Sequence, residues 1–140
     1  MEEHPGQGRC RILVVEDDGE VGEMVVEQLR GAGYDVAWEP TGRGALQVLQ
    51  QATVPPELLI LDLLLPDITG EEVYAGVDEH PDWNAIPVIV MSGLSTGAAR
   101  ASTLRRGVYI QKPFDPAHLL ALVAQYCGRG KRTSSSLNYS

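Results

Sequence analysis

Long apolar runs are missing from this 140-residue chain. No stretch approaches the roughly 20 apolar residues that cross a bilayer, so membrane insertion is not expected. The opening residues, MEEHPGQGRC, have neither the basic nor the apolar region of a secretory signal. Cysteine is scarce. Cys10 and Cys127 are the only two; they lack metal-site spacing and read as incidental, reduced thiols of a cytoplasmic protein. Basic residues are outnumbered, 11 against 19 acidic, for a net charge of −8 and a pI near 4.7. That balance argues against non-specific nucleic-acid binding. What remains is ordinary globular composition, 44% apolar and 21% charged, at a length that suits one domain with a real core.

Two apolar runs end in acid: ILVVEDD (Ile12 to Asp18) and LLILDLLLPD (Leu58 to Asp67). Consecutive apolar residues before a carboxylate are the pattern of a strand buried on both faces. Parallel α/β sheets bind ligands at the carboxyl ends of their strands, so Glu16, Asp17 and Asp62 are candidates for one pocket. Crowded carboxylates resist ionising together unless a cation joins them. Hard oxygen donors suit Mg²⁺, which takes a few carboxylates, waters and a phosphate. A third run, VYIQKPF (Val108 to Phe114), brings Lys112 to a strand end before a proline. Three carboxylates, a lysine and a divalent cation are the parts of a phosphoryl-transfer site.

The remaining pattern alternates strands and helices. Strands are expected at Ile12–Val15, Tyr34–Trp38, Leu58–Leu61, Pro87–Met91 and Tyr109–Gln111. Val21, Met24, Val25 and Leu29 line a first helix that Gly31 and Gly33 can end, with Asp18 placed to cap it. Ala45, Leu46 and Leu49 line a second helix, and Glu71 to Glu79 forms a third with Val73 and Val77 inward. Residues 95–106 should form a fourth, weakened by Gly97 and small neighbours. Pro116 to Tyr126 closes the chain as a fifth, with Leu119, Leu120 and Val123 inward. This order predicts a parallel sheet with helices on both faces. Right-handed crossovers would set the first and third strands side by side, bringing Glu16 and Asp17 beside Asp62.

On these residues the chain resembles the receiver domain of bacterial two-component response regulators, of the chemotaxis-regulator type, from about Arg11 to Gly128. The resemblance implies a flavodoxin-like, doubly wound α/β fold with five parallel strands in order 2-1-3-4-5 and five helices. It implies residues 10–128 as the receiver domain, 1–9 as a disordered N-terminus and 129–140 as a flexible tail or linker stub. Glu16 and Asp17 match the family's Mg²⁺-holding acidic pair, with Glu16 in place of the more frequent aspartate. Asp62 matches the phosphoacceptor and third metal carboxylate, and Leu64 stands where a backbone carbonyl ligates the metal. Ser92 matches the switch hydroxyl, Tyr109 the switch aromatic, and Lys112-Pro113 the lysine with its following, typically cis, proline. The stretch between Ser92 and Lys112 is slightly short for the family, which bears on the length of the fourth helix.

The function so implied is a cytoplasmic, phosphorylation-dependent signalling switch rather than an enzyme acting on other molecules. A sensor histidine kinase or histidine phosphotransfer protein would donate phosphoryl to Asp62. The face of the fourth helix, fifth strand and fifth helix would carry the signal to a downstream protein target, without direct nucleic-acid contact; whether phosphorylation brings homodimerisation is left open. A Mg²⁺-dependent phosphohydrolase of the haloacid dehalogenase type wants an Asp-x-Asp motif on the first strand, whereas Leu64 sits two after Asp62. A pseudo-receiver working without phosphorylation is disfavoured by the intact Asp17, Asp62, Ser92 and Lys112. Flavin binding lacks a hydroxyl-rich phosphate loop after the first strand. Leu64 and Leu94, each two residues beyond a site residue, cannot hydrogen-bond an attacking water, so a durable aspartyl phosphate is expected.

Overall fold

A computed structural model of the chain describes residues 9–127; the expected disordered start, up to residue 8, and the flexible tail lie outside the described residues. The elements run β1 (Arg11–Val15), α1 (Gly19–Gly31), β2 (Asp35–Glu39), α2 (Gly42–Gln51), β3 (Leu58–Asp62), α3 (Gly70–Glu79), β4 (Val88–Ser92), α4 (Gly97–Ala101), β5 (Gly107–Gln111) and α5 (Pro116–Tyr126). All strand pairs are parallel, in the order β2-β1-β3-β4-β5. This is the expected flavodoxin-like sheet. No described helix is long and apolar enough to cross a membrane.

Strand alternation sends side chains into two cores, one on each face of the sheet. Ile12, Val14, Ile60 and Met91 pack with Val25 and Leu29 of α1 and with Leu119 and Val123 of α5. Leu13, Val15, Leu61 and Val90 pack with Leu49 of α2 and with Val73 and Val77 of α3. β3 and β4 are buried along their whole length, which explains their unbroken apolar sequence.

Helix ends follow local chemistry. Asp18 caps α1 by accepting from the Glu20 and Val21 N–H groups, and Gly33 leaves that helix with φ of 95°, open to glycine without strain. Thr69 and Glu72 form a reciprocal capping box on α3. Asp115 caps α5 ahead of Pro116 in the first turn.

Two expectations are corrected. The fourth helix spans only Gly97–Ala101, not 95–106. It has no side-chain N-cap, and the Ser102 and Thr103 hydroxyls donate to the Ala99 and Arg100 carbonyls just past its end. The chain is then drawn toward α3: the Arg106 N–H donates to the Tyr74 hydroxyl, and Arg105 and Arg106 pair with Asp78. β5 accordingly starts at Gly107, two residues before the expected Tyr109.

The second correction concerns the cysteines. Cys10 and Cys127 are not reduced thiols but a disulfide, with Cα atoms 5.5 Å apart. Each helix of a parallel α/β sheet runs back against its strand, so α5 ends at the edge where β1 begins. Cys10 stands immediately before β1 and Cys127 immediately after α5. A sequence separation of 117 concealed a spatial neighbour.

Candidate functional site

Parallel register aligns the strand ends that carry the chemistry. Val15 lies opposite Leu61, and Asp62 opposite Met91, so the residues following β1 and ending β3 and β4 emerge at one edge. Glu16, Asp17 and Asp62 meet there, with one carboxylate oxygen from each lying within 4.8 Å of the others. Glu16 is fully buried, Asp62 is buried, and Asp17 is exposed. Lys112, at the end of β5, reaches into this cluster: its Nζ lies 2.7 Å from Asp62 Oδ2 and 2.7 Å from Glu16 Oε1. The second of these contacts is an ion pair without hydrogen-bond alignment, so Glu16 Oε1 keeps unused acceptor capacity inside the protein. A lone ammonium cannot saturate three carboxylates. The donor set is all hard oxygen with a buried acceptor to spare, which fits a small divalent cation.

Electrostatics follow from this crowding. Burial pushes the Glu16 carboxyl up to about 7, and the adjoining Asp62 carboxyl adds to the effect; Lys112 and the Asp18 N–H pull it only partly back. Burial opposes the charge on Lys112, but the hydrogen bond to Asp62 and the close Glu16 carboxylate outweigh it, and its pKa rises. Lys112 is therefore a fixed cation between two acids. The Lys112-Pro113 bond is cis, as the resemblance implied.

The loop after β3 is held from several sides. The Leu64 N–H donates to Asp62 Oδ1 at 3.1 Å. The Gly70 N–H donates to the Leu63 carbonyl, and a Cβ on Gly70 would lie 2.5 Å from the Asp62 carbonyl oxygen. Only glycine allows α3 to start so close to Asp62. Farther along, Asp67 accepts from the Gly42 and Arg43 N–H groups at 2.9 Å each and anchors the loop to the first turn of α2. These bonds, the one from Arg43 foremost, lower its carboxyl pKa. The Leu64 side chain is 60% exposed.

Ser92 ends β4, fully buried, its hydroxyl accepting from the Leu94 N–H. Tyr109 points toward it, the phenol donating to the Ser92 carbonyl at 3.3 Å. A Cβ on Gly97 would stand 2.7 Å from Ser92 Oγ and 2.8 Å from the Tyr109 oxygen, so α4 is seated on this pair through its glycine. Glu16, Asp17, Asp62 and Lys112 thus form one cluster, with Ser92 at the neighbouring strand end and Tyr109 behind it.

The family profile described as the response regulator receiver domain matches residues 12–124. The chain belongs to this family. Among curated relatives, the receiver domain is 34% identical over 118 residues to an uncharacterised 14.6 kDa protein of Leptolyngbya boryana, covering 83% of this chain and 88% of that one. It is also 34% identical over 117 residues to the DNA-binding response regulator MtrA of Mycolicibacterium paratuberculosis, covering 82% of this chain and 50% of MtrA. The chain spans about half the length of most curated relatives it matches. Among solved structures it resembles the chemotaxis response regulator CheY4 of Vibrio cholerae, with a TM-score of 0.76 at 25% identity over 84% of this chain and 98% of that one.

Several contacts of the receiver domain were invisible in its sequence. Arg100 of α4 donates through Nε and Nη2 to both oxygens of Glu71 in the first turn of α3, at 2.5 and 2.6 Å. That pairing lowers the Glu71 carboxyl and raises Arg100, with Asp62 contributing to the rise. Trp38 donates its indole N–H to the Glu16 carbonyl at 2.9 Å. The pairs lie 29 and 22 residues apart in sequence, beyond the reach of any local pattern.

Proposed function

We propose that the chain is a phosphorylation-dependent signalling switch in which Asp62 accepts a phosphoryl group from a sensor histidine kinase or a histidine phosphotransfer protein. The observation that carries this reading is Lys112 Nζ at 2.7 Å from Asp62 Oδ2, with the Glu16 and Asp17 carboxylates gathered on the same acid. An Asp62 oxygen attacks phosphorus as the donor's P–N bond breaks, leaving an acyl phosphate on Asp62 and a free imidazole on the donor. Glu16, Asp17, Asp62 and the Leu64 carbonyl are the residues that would hold Mg²⁺, which when bound supplies charge neutralisation for the transferring oxygens. Lys112, kept cationic by its two acids, is placed to pair with a phosphoryl oxygen.

The signal then passes through Ser92. Its hydroxyl turns from the Leu94 N–H toward the phosphoryl oxygens, shifting the loop that carries Leu94 and Gly97. Tyr109 contacts both Ser92 and Gly97, so the coupling runs through its packing, and the α4–β5–α5 face is what a downstream protein target reads. The chain acts on no other substrate in this reading. Its setting is the cytoplasm, where the 4% and 1% exposure of Cys10 and Cys127 shields the disulfide from thiol reductants. The domain spans residues 10–128, with 129–140 as tail or linker. The test is phosphotransfer from purified, phosphorylated histidine kinases of the host. Label should move to the wild-type protein and not to Asp62→Asn; failure of every kinase to transfer would contradict the switch.

A further inference from the structure

Beyond the acids themselves, the geometry points to Trp38 as a positioning residue for the metal-carrying loop, with Gly22 as the seat that admits its indole. This inference rests on the reading that Glu16, Asp17 and Asp62 hold a divalent cation. Trp38 lies on β2, opposite Val14 of β1, and is half-buried. Its Nε1 donates to the Glu16 carbonyl at 2.9 Å, while the Glu16 N–H donates to the Glu39 carbonyl at 3.1 Å. The end of β2 thus holds Glu16 at both its N–H and its C=O.

Inside that grip the loop is organised by its own acids. Glu16 Oε2 accepts from the Asp18 N–H at 3.1 Å, and the Asp18 carboxylate caps α1. A tilt of the Glu16 carbonyl would therefore move a buried carboxylate and the start of α1 together. The indole lies across α1 at Gly22, where a Cβ would stand 2.1 and 2.4 Å from two ring carbons and 2.8 Å from the donor nitrogen itself. Large and small residues at these two places are matched. Only a residue without a side chain at position 22 leaves the indole nitrogen within reach of the Glu16 carbonyl.

Trp38→Phe keeps a ring on α1 but removes the donor, leaving the Glu16 carbonyl without that partner. Gly22→Ala keeps the donor but displaces it. Both should weaken Mg²⁺ binding, read by isothermal titration of the metal alone, by about fivefold, in the range set by loss of one hydrogen bond. Trp83→Phe, in the opposite core, is the control and should bind as the parent does. The effects should not add: combined with Trp38→Phe, Gly22→Ala should cost little more, because the donor that it displaces is already gone. Metal-free hydrogen exchange provides the second readout, with the Glu16 and Asp18 amides opening faster in both single variants. Unchanged Mg²⁺ affinity in both variants, or full additivity, would overturn the role of Trp38 while leaving the metal site intact. A parent that binds no Mg²⁺ would overturn the metal reading. Unchanged exchange at Glu16 and Asp18 would overturn the positioning even then.

Discussion

Breaking the Cys10–Cys127 bridge should cost the domain a large share of its stability. The bond closes a ring across 117 residues, nearly the whole described chain, so its absence frees the unfolded state more than a short staple would. Chain-entropy arithmetic for that length gives a ceiling of about 4.9 kcal/mol at 25 °C, and observed losses run about 2–4 kcal/mol. Domains of this size have total stabilities of roughly 5–15 kcal/mol, so the expected fall in melting temperature is roughly 10 °C. The folded state changes little, because both cysteines remain in an apolar core beside β1 and α5. The assay is urea unfolding of oxidised protein, of reduced protein and of the Cys10→Ala/Cys127→Ala variant. Alkylation after unfolding should find no free thiol in the unreduced sample. Coincident midpoints for oxidised and reduced protein, or two alkylated cysteines without reductant, would refute the reasoning.

Replacing Leu64 with Asn together with Leu94 by Glu should speed loss of the phosphoryl group roughly tenfold, about 1.4 kcal/mol of barrier, because both new side chains can orient water; a decay time equal to the parent's would assign the lifetime elsewhere. Gly97→Ala should destabilise the domain despite the roughly 1 kcal/mol helix advantage of alanine, since the new methyl meets Ser92 and Tyr109; thermal unfolding and tyrosine emission check it, and a stabilised variant with unchanged emission would show that the contact yields freely. The Glu71–Arg100 pair lowers the folded-state pKa of Glu71 below its ordinary 4.5. The unfolded chain then binds the extra proton, and the pair's stabilisation is present above pH 4.5 and lost as pH falls through the lower folded value. Glu71→Gln should flatten that part of the acid unfolding curve, and an unaltered acid limb would remove Glu71 from the account.

The sheet was legible because β1, β3 and β4 are buried on both faces and must read as continuous apolar runs. The site was legible for a related reason. Glu16 and Asp62 follow or end such a run, Lys112 follows the half-buried β5, and parallel register carries strand ends to one edge. α4 resisted because propensity favoured a helix through residue 106, whereas side-chain bonds from α3 claim Arg105 and Arg106. The disulfide resisted because spacing says nothing about two ends of a chain that the fold returns to one place. Trp38 read only as the last residue of a strand; its indole N–H gave no sign that its acceptor would be the backbone of Glu16.

The most direct test is to locate the phosphoryl group. Incubated with acetyl phosphate and Mg²⁺, the protein should gain one phosphoryl mass that peptide mapping assigns to Asp62, and the gain should vanish with chelator and in Asp62→Asn. Robust labelling of Asp62→Asn at another residue, or equal labelling of the parent with and without Mg²⁺, would contradict the assignment of Asp62, Glu16 and Asp17 to one metal-assisted phosphoacceptor site.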